Sequence, residues 1–278
     1  MQVNLIPMAG LGNRFSEQGY LLPKPLIPVS GMPMVLKAAR DMPSADRWIF
    51  VVRKEHVKDY GIDRLLKKDI RGATVISVDK TTEGTACTCL LARNLIKEED
   101  SLFIGACDVG YLYDKNKYAS LLKDKAVDCI FWTFTQREML REKPASYGWY
   151  KTEDDGRTIK EVSVKKPISK DPYRDHAVVS SFYFRRAGDF FSGIDLMIRK
   201  NHRINNEYYL DALPVYMKEL GKRSVIFDVD LFVCWGDPKS VYEYQRAEYM
   251  CMNNATPKNN ATEEANIISL WKKYFEVT

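Results

Sequence analysis

Between residues 2 and 134, short apolar runs alternate with segments of helical spacing, and this alternation constrains the fold more than any other feature of the chain. Gln2–Met8, Trp48–Val52, Thr74–Val78, Ser101–Ala106 and Asp128–Phe134 read as strands, the second built almost wholly from aromatic and β-branched residues. Met34–Asp41, His56–Lys67, Ala86–Leu95 and Lys117–Lys123 have helical spacing. Strands recurring between helices imply an α/β fold of βαβ units, with a largely parallel, buried sheet and right-handed crossovers. Open α/β sheets bind ligands beyond the carboxyl ends of their strands, so Met8 and Asp108, where two strands end, are expected to face one crevice.

The second half changes character. Gly148–Lys151 and Lys160–Val164, joined through Asp155-Gly156, read as a hairpin. Val178–Phe184 and Ser224–Val233 read as strands, and Asp189–Arg199, Tyr208–Leu220 and Asp237–Met250 as helices. Asn253–Thr262, with Pro257, reads as a linker, and Thr262 as the cap of a last helix. On that helix Ile267, Ile268, Trp271, Tyr274 and Phe275 gather on one side. So short a helix is marginal alone in water, so this face is expected to pack on something, either its own domain or a neighbour in a homodimer.

Composition narrows the class of partner. With 45% hydrophobic and 28% charged residues in 278, the chain is an ordinary globular protein, neither disordered nor disulfide-stapled. No apolar run approaches the ~20 residues that cross a bilayer. The net charge of +5 is mild and spread out, which argues only weakly for an anionic ligand and hardly at all for nucleic acid, and neither a nucleic acid nor a membrane partner is expected. The six cysteines form no C-x-x-C pair and several sit in apolar runs, as buried thiols of a cytoplasmic protein would. Sequons at Asn254 and Asn260 would matter only outside that compartment. Cys87 and Cys89 have no accompanying histidine, and His56, His176 and His202 are isolated, so a zinc site and a Ser-His-Asp triad both lack parts.

The chemistry concentrates after the first strand. Ala9, Gly10, Leu11, Gly12 and Asn13 form a glycine loop whose small residues let backbone N–H groups approach phosphate oxygens. Arg14 follows at once with a fixed fork of donors, and Lys24 stands between Pro23 and Pro25, which stiffen the backbone carrying it. The loop lacks the third glycine of a dinucleotide fingerprint and the Gly-Lys-Ser/Thr of a Walker loop. Two glycines alone would also suit a plain strand–turn–helix; Arg14 and Lys24 turn the reading to phosphate binding.

Residues 5–35 resemble the signature of the sugar-1-phosphate nucleotidylyltransferases, G-x-G-x-R-F, then P-K-P-L, then G-x-P-M. Gly10, Gly12, Arg14, Phe15, Pro23, Lys24, Pro25, Leu26, Gly31, Pro33 and Met34 match it, and the resemblance extends more thinly to about residue 245. It implies a GT-A-like, Rossmann-related three-layer sandwich with a mostly parallel mixed sheet. Residues 1–250 would form the nucleotidyltransferase domain, nucleotide on 1–145 and acceptor on 146–250, with 251–278 as linker and amphipathic helix. The substrates implied are an NTP and a phosphorylated small-molecule acceptor, a sugar 1-phosphate, for surface-polysaccharide precursors.

The same resemblance implies roles. Arg14 and Lys24 would act on the phosphates. Asp108 would hold Mg²⁺, a hard cation that suits carboxylate oxygen, although an aspartate is also common in a strand-to-loop turn. Glu83, Gly84 and Thr85 resemble the base-binding turn, which could equally be a helix start capped by Thr82 or Thr85. Gly148, in Tyr147-Gly-Trp, and Lys166 resemble the acceptor contacts, Lys166 being otherwise a solvated strand end. Three positions depart from the family: Lys165 replaces a glutamate, Ser181 stands where a glycine is usual, and Cys234 occupies the place of a second metal aspartate, with Asp230 and Asp237 as nearby candidates. Soft sulfur mismatches a hard cation. These departures leave room for a cytidylyltransferase acting on a non-sugar acceptor, phosphocholine-like or a phospho-amide, and for a catalytically silent nucleotide-binding regulator.

Overall fold

The computed structural model of the protein describes residues 1–253 and 262–277. The expected linker, with both sequons, falls almost wholly on residues 254–261 and so lies outside the described residues. Strands in chain order are β1 (Gln2–Met8), β2 (Pro28–Val29), β3 (Met32–Pro33), β4 (Arg47–Arg53), β5 (Ala73–Val78) and β6 (Ser101–Ile104). They continue with β7 (Val109–Leu112), β8 (Cys129–Phe134), β9 (Gly148–Thr152), β10 (Ile159–Val164), β11 (His176–Phe184), β12 (Ser224–Asp228) and β13 (Leu231–Cys234).

The chain forms two compact units, and both draw residues from each side of residue 145. The first comprises Met1–Gly10, Ser44–Ala106 and Lys115–Asp228. It carries a nine-stranded mixed sheet of order β10-β9-β11-β6-β1-β4-β5, with β8 paired to β11 and β12 to β8. The β1, β4, β5 and β6 strands pair in parallel, as the βαβ pattern requires, and β12 joins β8 in parallel. The hairpin β9–β10 and the strand β11 bring the antiparallel pairings. The strands β1, β4 and β6 are buried on both faces: Val3, Leu5, Ile49, Val51, Leu102 and Ile104 join one apolar core with Phe184, Phe190 and Met217, and Ile6, Phe50, Val52 and Phe103 are buried on the other. That two-sided burial is why these strands read as continuous apolar runs.

The second unit comprises Leu11–Pro43, Cys107–Asp114 and Val229–Thr278. It holds the antiparallel pair β7–β13, the small hairpin β2–β3, and the helices Met34–Asp41, Pro238–Met252 and Thr262–Val277. The last helix packs part of its apolar stripe within the chain, while Ile267, Ile268, Trp271 and Phe275 stay half-buried. Tyr274 is fully buried, and the rings of Trp271 and Phe275 lie 5.9 and 5.5 Å from that of Tyr244 on the preceding helix.

Four expected elements are divided, one of them Ala86–Leu95, which becomes the helix Thr85–Leu90 and a 3-10 turn at Arg93–Leu95. His56–Lys67 becomes two helices, Lys54–Tyr60 and Ile62–Asp69, because Gly61 takes a left-handed φ of 62° and ends the first. Ser224–Val233 becomes β12 and β13, broken at Val229 and Asp230 just after Asp228, whose carboxylate accepts from the Thr133 hydroxyl at 2.7 Å. Tyr208–Leu220 begins extended, then turns through Leu210–Ala212 into the helix Leu213–Glu219. The strand β7 was not legible: Val-Gly-Tyr-Leu is short and interrupted by Gly110.

Candidate functional site

The glycine loop opens from the end of β1, which leaves Ala9 buried and Gly10, Leu11, Asn13 and Arg14 exposed. A Cβ at Gly10 would meet nothing within 4 Å, so its backbone stands clear of the chain. Gly12 is constrained: its φ is 70°, and a Cβ there would press on Lys24 Cβ at 3.3 Å. Lys24 begins a short 3-10 turn with Pro25 buried, closed by the bond from Leu26 N–H to Pro23 O at 2.8 Å. The glycine turn and the proline turn thus fix the stem of Lys24 from both sides.

Four of the expected site residues, Gly12, Arg14, Lys24 and Asp108, come together. Lys24 Nζ forms an ion pair and hydrogen bond with Asp108 Oδ2, and it lies 5.9 Å from the centre of the buried Phe15 ring. Arg14 donates to the Gly236 carbonyl at 3.3 Å. A Cβ at Gly236 would lie 3.4 Å from Asp108 Oδ2, 3.3 Å from Cys234 Sγ and 3.8 Å from the Arg14 guanidinium. One cation, one carboxylate and one thiol therefore converge on a single bare glycine, and Lys24 joins them through Asp108. The side chains of Lys24 and Asp108 keep 20% and 22% exposure, so the pair can be reached by solute. Burial works against the charge on Lys24, but Asp108, then the Cys107 thiol, outweigh it and hold its pKa above the ordinary lysine value. Lys24 is cationic throughout the neutral range.

The pair β7–β13 positions this cluster. Val109 sits opposite Cys234, so Asp108 and Trp235 extend from the same end, and Trp235 N–H donates to the Asp108 carbonyl at 2.8 Å. Asp230 is at the other end, where its N–H bonds Leu112 O; four strand residues, roughly 13 Å of chain, separate it from Asp108. Asp237 is engaged as the cap of the helix Pro238–Met252, accepting from Ser240 N–H at 2.9 Å. The Cys234 sulfur accepts from Gly236 N–H at 3.3 Å, and burial, with Asp108, pushes its pKa up, so the thiol stays neutral. Among the described residues no group of three or more His, Cys, Asp and Glu could hold a metal ion.

The remaining expected residues belong to the first unit. Glu83 pairs with Arg203 at 3.1 Å, and Glu83 O accepts from Tyr208 N–H at 2.9 Å. Gly84 has φ 114°, and a Cβ there would collide with Tyr208 N at 2.6 Å. Close approach of Tyr208 is thus reason enough for this glycine. The helix Thr85–Leu90 has no side-chain cap; Thr82 instead donates to the Gly84 carbonyl at 2.9 Å. Gly148 would meet Asp211 Cβ at 2.8 Å if it carried a side chain. Burial pushes the Asp211 carboxyl up to about 6, offset in part by Lys165 and by the hydrogen bond from the Gly148 backbone. The single stretch Tyr208–Asp211 therefore holds both the Glu83–Thr85 turn and the Gly148 turn. Lys166 is exposed, two residues beyond Val164, the partner of Gly148 across the hairpin. Lys165 takes a left-handed φ of 63° and donates to Ser146 O at 2.7 Å. Ser181 is fully buried, with no hydrogen-bond partner for its hydroxyl, beside Ser180 at φ 56°.

The nucleotidyl transferase family model matches residues 3–243. The chain belongs to this family. It is a nucleotidyltransferase enzyme, and the α/β sheet with its helices is of the GT-A-like kind. No curated protein matches the chain by sequence. Solved structures similar to this nucleotidyltransferase include a nucleoside-diphosphate-sugar pyrophosphorylase from Vibrio cholerae RC9, with TM-score 0.69 and 17% identity over 87% of this chain and 99% of that one. A UDP-glucose pyrophosphorylase complexed with UDP-glucose has TM-score 0.69 and 17% identity, covering 90% of this chain and 98% of that one. An inositol-1-phosphate CTP transferase from T. maritima has TM-score 0.63 and 15% identity, covering 88% and 94%. At these identities the likeness is one of fold. Among the described residues of this nucleotidyltransferase, no helix is long and apolar enough to cross a membrane.

Proposed function

We propose that this enzyme joins an NTP and a sugar 1-phosphate to give an NDP-sugar and pyrophosphate, in the cytoplasm, for surface-polysaccharide precursor synthesis. The observation that carries the reading is the Lys24–Asp108 pair beside Arg14 at the end of the glycine loop. An acceptor phosphate oxygen attacks the α-phosphorus in line; that P–O bond forms as the bond to the β-phosphate oxygen breaks and pyrophosphate leaves. Such chemistry needs positioning and charge neutralisation more than proton transfer, so no general base is assigned. Arg14 and Lys24 stabilise the charge on the α-phosphoryl group and the leaving pyrophosphate, and Lys166 orients the acceptor phosphate. Ala9, Gly10, Leu11, Gly12 and Asn13 cradle the nucleotide phosphates, Glu83, Gly84 and Thr85 bind the base, and Gly148 borders the acceptor.

Magnesium is part of this proposal. One carboxylate with a neutral thiol beside it suits an ion that arrives on the nucleotide phosphates and keeps most of its waters, rather than one caged by protein. Asp108 would hold it, and the ion would neutralise phosphate charge.

A second reading, transfer of a cytidylyl group to a non-sugar phosphorylated acceptor, is favoured by Lys165 and Ser181, which alter the acceptor side. Pyrophosphate release measured across four NTPs and a panel of sugar 1-phosphates, phosphocholine and other phosphorylated acceptors separates the two. No release with any pair would leave a silent nucleotide-binding protein. A homodimer through the last helix is proposed with its own test, the solution mass of the full chain and of a chain ending at residue 252. A full-length monomer ends that proposal.

A further inference from the structure

A buried polar triad joins the last helix to the strands that carry Asp108. Lys37 and Asp41, one turn apart on the helix Met34–Asp41, form an ion pair at 2.9 Å with both side chains essentially inaccessible. Tyr274 of the last helix touches both: Lys37 Nζ donates to its hydroxyl at 2.5 Å, and the hydroxyl donates to Asp41 Oδ2 at 2.6 Å. Asp41 also accepts from the Tyr111 N–H of β7. Among the described residues the carboxylate thus takes hydrogen bonds from Lys37, Tyr274 and Tyr111, and Tyr274 brings the one that comes from the chain's end.

The triad lies directly against β7 and β13. At Gly110 a Cβ would fall on Asp41 Oδ2, 2.6 Å from the Tyr274 hydroxyl and 2.7 Å from the Trp235 ring. Only a glycine lets the strand backbone come down on this network. Lys37 Nζ lies 4.2 Å from the centre of the Tyr274 ring and 5.6 Å from that of Trp235. Two routes lead from the triad to Asp108. One runs from Asp41 through Tyr111 N–H along three residues of β7. The other runs from Lys37 under the Trp235 ring to Trp235 N–H, which holds the Asp108 carbonyl.

We propose that Tyr274 is a positioning residue for the phosphate-handling cluster: its hydroxyl completes the Lys37–Asp41 pair, and the completed triad fixes β7, β13 and so Asp108 and its partner Lys24. The catalytic half of this proposal rests on the function proposed above; the mechanical half does not. A buried ion pair that loses one hydrogen-bond partner is left with an unmet polar atom and rearranges to find another. Here the groups free to move are the strand backbone at Gly110 and the Trp235 ring. Small displacements far from reacting atoms are costly, about 1 Å being able to lower a rate ~100-fold.

The test compares Tyr274→Phe with Phe275→Leu in the full chain. Phe275 packs on Trp271, Tyr244 and the ring of Tyr274 but brings no polar atom to the triad. Two readouts are taken: backbone hydrogen exchange over residues 107–114 and 229–236, and kcat against KM for the NTP with the acceptor found by the pyrophosphate screen. Y274F is expected to exchange faster in those two segments, unchanged over residues 2–8, and to lose ~10-fold in kcat with KM within about twofold. F275L is expected to lower Tm with neither effect. Unchanged exchange in Y274F, an unchanged kcat in the folded variant, or an F275L that matches Y274F in both readouts overturns the proposal. If Y274F does not fold, the triple variant K37M/D41N/Y274F, which strands no charge, is carried through the same two readouts, and the same results support or overturn the proposal. A wild-type chain without transfer activity would end the proposed function, and the exchange arm alone would then decide whether Tyr274 fixes the strands.

Discussion

Replacing Lys24 with alanine is expected to lower kcat by ~100-fold or more, about 2.7 kcal/mol of lost transition-state stabilisation, while nucleotide affinity changes far less. The glycine turn and the proline turn fix the stem of Lys24 before any ligand arrives, and Asp108 keeps its ammonium charged. A cation held in this way loses little by reorganisation when negative charge builds on the phosphates, which is where preorganised donors act. Arginine at position 24 is not expected to rescue it, because a planar fork does not reproduce the compact charge that Nζ places on Asp108 Oδ2. Steady-state pyrophosphate release, nucleotide titration and Tm of the same preparation check the expectation. A folded K24A with the parent kcat would remove Lys24 from the chemistry.

How much of this was legible in the sequence depends on the range of the interactions. The βαβ alternation and the hairpin at Gly148–Val164 rest on local periodicity and turn residues, and they appear in the structure where the pattern puts them. The break at Gly61 is passed over when His56–Lys67 is read as one helix, although a glycine between two helical stretches is an ordinary stop. What the pattern could not give is pairing between distant segments. That Ser224–Val233 divides between two sheets follows from the partners β8 and β7, which no local spacing encodes. Likewise Arg14, Lys24 and Asp108 are picked out by their residue types and motif, but the convergence of Arg14 and Asp108 on Gly236 depends on β13 returning beside β7, and Lys24 joins them through Asp108.

The departures at the site read differently once geometry is present. Sequence alone left Asp230 and Asp237 as substitutes for the carboxylate that Cys234 lacks. Asp230 lies at the wrong end of a strand pair, and Asp237 has the task of capping a helix. Gly84 and Gly148 looked like places where a ligand comes close, and both are already required by the close approach of the chain's own Tyr208 and Asp211. The Lys37–Asp41–Tyr274 triad left a faint mark: a lysine and an aspartate four apart on a short helix are commonplace at a surface, and only tertiary packing buries them.

The Asp108→Asn variant is expected to lose activity by ~100-fold or more and to keep its fold, since the amide preserves the shape of a partly exposed side chain. Two roles would produce that loss. If Asp108 acts only by holding Lys24, the double variant K24A/D108N should be no slower than K24A, because the partner is already gone. If Asp108 also carries magnesium on the nucleotide phosphates, removing it costs more on top of K24A, and the magnesium concentration giving half-maximal rate rises in D108N. The absence of a second carboxylate among the described residues of the cluster sharpens the second expectation: with Cys234 neutral and Asp230 and Asp237 committed elsewhere, no neighbour can take over the ion. Pyrophosphate release titrated with magnesium for the parent, both single variants and the double variant separates the roles. Full activity of the parent in excess chelator would show that no such ion is needed, and an unchanged magnesium dependence in an impaired D108N would leave Asp108 as the partner of Lys24 alone.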